Sequence, residues 1–108
     1  MMETEIPAFV RQYVEQIVEQ FNTEEISDTG KVYHVRFNGG FVFVDRDDGI
    51  GPCPVLRLEY TGDMGDWEMA IYKYSADDYD PDEAFFPGIE LVDGTIEGAL
   101  RAGMKAYG

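Results

Sequence analysis

Five of the seven residues from Asp77 to Glu83 are acids, in the run Asp-Asp-Tyr-Asp-Pro-Asp-Glu. Asp78, Asp80 and Asp82 carry the alternate-residue spacing with which an EF-hand loop begins to wrap Ca2+ in carboxylate oxygens. The rest of that loop is missing. Pro81 takes its fourth position, Glu83 stands where the turn needs Gly, and Ile89 stands where a bidentate carboxylate should close the shell, with Glu90 one residue late. No calcium-loop motif is present, and Asp78, Asp80, Asp82 and Glu83 remain only a cluster of oxygens on which a divalent cation would bind adventitiously. Acids interleaved with aromatics also suit docking to a basic partner, through Asp77, Asp78, Tyr79, Asp80, Asp82, Phe85 and Phe86. The third reading is a solvated loop pinned to the domain by Tyr79, Phe85, Phe86 and Pro87. It ranks first, docking second and ion binding last.

Other chemistry is thin. Cys53, the one cysteine, lies between Pro52 and Pro54, and Cys-Pro pairs occur where a thiolate senses haem. A nucleophilic thiol needs an adjacent base, and the one histidine is His34, on a predicted strand where it alternates with Arg36. The plainer expectation is a half-buried Cys53 between stiffening prolines and a surface His34. With no second cysteine or histidine, a zinc site lacks ligands. Glu59 and Glu68 are expected near each other across a hairpin, with Arg57 as the neutralising cation. The glycines of "DGIGP" and "TGDMGDW" lack the strand-to-helix context and the Lys-Ser/Thr of a phosphate cradle.

Charge excludes more than the motifs do. The 108 residues hold 22 acids against 8 bases, a net charge of −14. Such a field repels phosphate backbones and anionic membranes and attracts cations or basic proteins. It also keeps a small domain soluble, or adapts one to high salt. Solubility is the reading favoured here. No apolar run approaches the roughly 18 residues of a membrane span. The acidic, amphipathic N-terminus is unlike an export signal, and a single cysteine fits a reducing compartment. The expectation is a cytoplasmic protein.

The elements that must position these residues read clearly. Ile6, Phe9, Val10, Tyr13, Val14, Ile17, Val18 and Phe21 recur at helical spacing, with Pro7 in the first turn and Asn22-Thr23 at the end. The period then becomes two: "KVYHVRF" and "FVFVDRD" flank Asn38-Gly39-Gly40, a hairpin signal. A two-residue Asn38-Gly39 loop pairs Val35 with Val42 and places Tyr33, Phe37 and Val44 on one face. A bulged three-residue loop would put Phe41 and Phe43 on the Val35 face instead. Strands Val55–Tyr60 and Trp67–Tyr74 follow, with Leu56, Leu58 and Tyr60 expected to face Ile71, Met69 and Trp67. "IELV" reads as a short edge strand. The last element is a small-surfaced helix through Ile96, Ala99, Leu100, Gly103, Met104 and Tyr107, capped by Asp93 or Thr95.

The order α-β-β-β-β-α predicts a single α+β domain over residues 1–108. It is a two-layer sandwich in which both helices cover one face of a four-stranded antiparallel meander. The other face would carry Phe41, Phe43, Tyr72 and Tyr74 among Arg36, Arg57 and Lys73, unless "AFFPG" folds over it. The functional expectation is a small acidic cytoplasmic binding or accessory domain that acts through protein–protein contact. Its partner is a basic protein or a second copy, with no cofactor and no nucleic acid. Two other classes stand beside it. One is a small-molecule-binding or enzymatic domain, its pocket between sheet and helices lined by Tyr13, Trp67, Met104 and Tyr107. The other is a nucleic-acid mimic with acids in rows at phosphate-like spacing.

Overall fold

The computed structural model describes residues 5–83 and 85–108; the first four residues of the acidic N-terminus lie outside them. α1 (Ala8–Glu24) buries Val10, Val14, Ile17, Val18 and Phe21. Phe9 was expected on the same stripe but is 65% exposed. At about 100° per residue it lies far round the cylinder from the Val10–Phe21 row. Pro7 is the N-cap, its carbonyl accepting from the amides of Val10 and Arg11. The helix also runs past Asn22, whose side chain has another use. Its Nδ2 donates to the Tyr33 carbonyl and its Oδ1 accepts from the Tyr33 amide, both at 2.9 Å. An amide so placed acts as one residue of a neighbouring strand and covers part of an open sheet edge.

The sheet has five strands, not four: β1 (Val32–Asn38), β2 (Phe41–Asp47), β3 (Pro52–Tyr60), β4 (Trp67–Lys73) and β5 (Asp78–Asp80), antiparallel and in chain order. The fifth comes from the acidic run, which folds back so that Tyr79 pairs with Tyr72 and Asp78 with Lys73. An aromatic partner and a cation, both on the preceding strand, turn the expected loop into a short strand. The "IELV" segment instead makes a 3-10 turn, Ile89–Leu91. Gly88, at φ 102°, brings it against α2 (Ile96–Ala106), where a Cβ would lie 2.7 Å from the Ala102 carbonyl oxygen.

The first hairpin turns on Gly39-Gly40, so Asn38 pairs with Phe41 and Val35 with Val44. Gly39 has φ 59° while Gly40 is not left-handed, the pattern of a type II′ turn. The register is two residues from the Val35–Val42 pairing, and an even slip preserves the faces. The second pairing holds as expected: Leu56 faces Ile71, Leu58 faces Met69 and Tyr60 faces Trp67. Between β2 and β3 the register slips, because Val44 pairs with Leu56 but Asp45 with Pro54. The extra residue is Val55, and both Val55 and Leu56 are buried.

Both helices pack on the face of Tyr33, whose ring lies 5.9 Å from that of Phe21 in α1 and whose hydroxyl donates to the Leu100 carbonyl in α2 (2.8 Å). Burial pushes this phenol's pKa up. Beside it Arg46, 4% exposed, points into the same layer. Its guanidinium donates to the carbonyls of Gly103 (3.5 Å) and Tyr107 and pairs with Asp48 (2.9 Å). A cation at the carbonyl end of a helix meets the negative pole of its dipole, and here it adds a second donor to the Gly103 carbonyl, which already accepts from the Tyr107 amide (3.0 Å). At the other end, Thr95 caps α2 by accepting from the Gly98 amide (3.0 Å), and the Asp93 carboxylate holds the Thr95 hydroxyl at 2.6 Å.

Gly103 is where α2 comes closest to the sheet. A Cβ there would lie 2.6 Å from the Tyr33 hydroxyl, 2.9 Å from Val55 Cγ1 and 3.1 Å from Leu56 Cδ2. Gly103→Ala should therefore destabilise by about 1–3 kcal/mol, although Ala is the better helix former by nearly 1 kcal/mol. A melt checks this at about 4–8 °C per kcal/mol for a small domain. A rise in midpoint would mean that the helix is free to lift.

Candidate functional site

The sheet face turned away from the helices carries Arg36, Phe41, Phe43, Arg57, Tyr72 and Tyr79. Strand alternation sets Arg36, Phe43, Arg57 and Ala70 in one cross-strand row. The Arg36 guanidinium lies 5.3 Å from the centre of the Phe43 ring, and that of Arg57 lies 4.5 Å from Phe41 and 5.6 Å from Tyr79. Tyr79 in turn packs on Phe43 (5.5 Å) and stands edge-on to Tyr72 (5.0 Å). These contacts cover their own backbone, so Ala70, Tyr72 and Asp45 are buried although no helix lies over them. The two arginines differ. Arg36 is bound in bidentate fashion to Asp45, at 2.7 and 3.2 Å. Arg57 makes no ion pair among the described residues, so its charge is met by ring faces alone.

Two residues expected on this face lie elsewhere. Lys73 points to the opposite side, where it pairs with Glu83 at 2.8 Å and approaches Asp80 at 3.9 Å. Tyr74 follows the end of β4; its hydroxyl donates to the Pro54 carbonyl (2.8 Å) and its ring stands edge-on to Tyr107. Tyr79 was expected in a loop. The alternation Asp78-Tyr79-Asp80 was the available signal, with the aromatic to the sheet and acids on either side.

The acids of the Asp77–Glu83 run are largely engaged within the chain. Asp77, at φ 52°, accepts from the Tyr72 hydroxyl. Asp78 accepts from the Tyr79 amide (2.8 Å), Asp80 from the Asp82 amide (3.0 Å), and Glu83 from the Phe85 amide (3.1 Å). Among the described residues no three acids, histidines or cysteines are grouped so as to hold a metal ion, and Asp78, Asp80, Asp82 and Glu83 are spread along the strand and its turn. Phe86 packs against the core. Phe85 is 91% exposed and Pro87 is also exposed, so of the four expected anchors Tyr79 and Phe86 are the ones that pack inward.

Cys53 is exposed rather than half-buried: it lies near the start of β3, opposite Arg46, between Pro52, itself exposed, and Pro54. It sits on β3 and His34 on β1, with β2 between them, so about 10 Å of sheet separates their strands. A direct thiol–imidazole pair is ruled out by that topology. Glu59 and Glu68 face each other directly across β3 and β4. Arg57 does not neutralise them, since its guanidinium is drawn to Phe41 and Tyr79.

Of the four residues proposed to line a pocket between sheet and helices, Trp67, Met104 and Tyr107 border separate clefts. Trp67 is buried, its indole donating to the Met64 carbonyl (2.8 Å), and it borders a groove of about 390 Å³ at the outer edge of β4. Met104 borders a different groove with Phe21 and Ile26, and Tyr107 a small cleft with Ile71 and Phe86. Among the described residues no helix is long and apolar enough to cross a membrane.

Four tyrosines around the end of β4 resist ionisation. The Asp77 carboxylate that accepts from Tyr72 pushes its phenol up to about 12, and burial raises Tyr79, Tyr74 and Tyr107. A phenol with a raised folded pKa stabilises the fold below its unfolded value, about 10, and that stability is lost as pH climbs through the folded value. Phenolate absorbance should therefore lag behind that of free tyrosine, and Asp77→Asn should advance one tyrosine toward pH 10. An unchanged titration in that variant would remove the Tyr72–Asp77 contact from the account.

In comparison with known proteins, no family model, no curated protein and no solved structure matches the chain.

Proposed function

We propose that this protein is a small acidic cytoplasmic binding domain that acts by protein–protein contact. Its contact surface is the helix-free sheet face and the acidic–aromatic segment along the edge of that face. One observation carries the reading: Arg57 lies stacked on Phe41 and Tyr79 with no ion pair among the described residues, in a chain with 22 acids for 8 bases. Stacked guanidiniums and aromatic rings on a face that no other layer covers are the materials of interface centres, where aromatics and arginine are enriched. The acids around them supply long-range attraction for a basic partner. They also make a second copy of the chain the poorer partner, since two bodies each carrying −14 repel. The lone exposed thiol of Cys53 supports a reducing cytoplasm as the setting.

The test is affinity capture from a lysate of the source cells by the immobilised chain, at low and high salt. Comparison is with the variant carrying Asp77→Asn, Asp78→Asn, Asp80→Asn and Asp82→Asn, its fold checked by circular dichroism. A partner retained by the wild type, released by salt and lost by the variant is the expected result. A partner held equally by both, or indifferent to salt, overturns recognition by charge.

A further inference from the structure

The outer edge of β4 is only partly covered. At its start the Trp67 amide points outward and donates to the Gly94 carbonyl (2.7 Å); at its end Ile71 pairs with Asp80 of β5. Backbone groups on an antiparallel strand alternate in direction. Met69, midway between these two, therefore presents its N–H and C=O outward, with no ladder partner among the described residues. β5 does not extend to meet it, because the chain leaves the sheet after Asp80 in a turn through Pro81 and Asp82, with the Glu83 amide donating back to the Asp80 carbonyl (3.4 Å). The gap opens into the groove of about 390 Å³, whose lining includes Glu59, Asp66, Glu68 and Asp93 against the single cation Arg57.

Glu59 and Glu68 sharpen the point. They stand directly opposite each other, both exposed, and neither makes an ion pair among the described residues. Like charges so placed oppose strand pairing. A cation between them would remove the repulsion.

We propose that this edge binds an extended basic segment of a partner protein by strand addition. The segment's backbone pairs with Met69, as peptides do on other open sheet edges. Its residue opposite Met69 shares the Met69 face and is apolar. The neighbour beside Glu68 shares the other face and is a lysine or arginine, in reach of the Glu59–Glu68 pair. This rests on the contact reading above and adds to it a place and a partner chemistry. Charge selects the occupant: four acids and one arginine favour a basic strand over an edge of this same acidic chain.

The probe is a short blocked peptide alternating lysine and valine, titrated at low ionic strength. Trp67, the only tryptophan, borders the groove, so its fluorescence reports occupancy. Two comparison peptides complete the set: one N-methylated at its valines, the other with glutamate in place of lysine. The lysine peptide should saturate the signal. N-methylation should weaken binding about fivefold or more by removing backbone donors, and Glu59→Gln with Glu68→Gln should weaken it to a similar degree. That double variant relieves a repulsion and should stay folded. Equal binding of the N-methylated peptide overturns strand addition, and no saturation by the lysine peptide at millimolar concentration overturns the site. If the peptide fails while salt-sensitive capture of a partner persists, this edge falls and the wider contact reading stands. If the peptide binds and capture fails, the edge stands and the wider reading falls.

Discussion

The C-terminal turns of α2 rest on the sheet through three side-chain choices that depend on one another. Gly103 lets the helix backbone come down to the Tyr33 hydroxyl, Val55 and Leu56. At that separation the Tyr33 hydroxyl reaches the Leu100 carbonyl, and Arg46 reaches the carbonyls of Gly103 and Tyr107. A buried guanidinium is tolerable only when its donors and charge are met. Here the helix's own carbonyl end and Asp48 meet them. The bulge that brings Val55 inward beside Leu56 completes the floor. If α2 were to lift, Arg46 would lose its carbonyl partners and Tyr33 its acceptor together, so the seat holds as a unit.

That seat divides the sheet into two faces with opposite uses of arginine. On the helix side Arg46 is spent on backbone carbonyls and holds two layers together. On the other side Arg57 lies across rings and contributes little to holding the fold, since an exposed cation–π contact is worth about 0.5–1 kcal/mol. Closure of the first face by two helices leaves the second with no layer of its own. The Arg36, Phe43, Arg57, Tyr79 and Tyr72 contacts make it tolerable in water without covering it. The free stretch of β4 has the same origin. β5 is short because it is borrowed from an acidic turn, and it ends at Pro81.

Much of this was legible in residue order. The α1 stripe, the face-to-face sets of β3 and β4 and the Thr95 region as a helix start each carry a local period or cap signal. The two-residue turn was legible and its position was not, because Asn38-Gly39 and Gly39-Gly40 both suit the turn and differ by a slip that preserves the faces. β5 was missed since three residues are too few for a period to show, and its partners are Tyr72 and Lys73. Arg46 had a signal: in "FVFVDRD" it falls on the same alternating face as Val42 and Val44. What made its burial possible, the carbonyl end of a helix nearly 60 residues later, has no trace nearby. The candidate site was half visible. Phe41, Phe43, Tyr72, Arg36 and Arg57 follow from one register choice, whereas the unpaired state of Arg57 is a fact of geometry.

The central claim is that one face of the sheet holds the protein together and the other is left for contact. Denaturant unfolding of Arg46→Met beside Arg57→Met tests it most directly. Losing Arg46 takes the guanidinium's bonds from the Gly103 and Tyr107 carbonyls and its pairing from Asp48 and should cost about 2 kcal/mol, while losing Arg57 should cost no more than about 1 kcal/mol. Equal losses, or the larger loss at Arg57, would mean that the helix-free face is itself structural and would contradict the account.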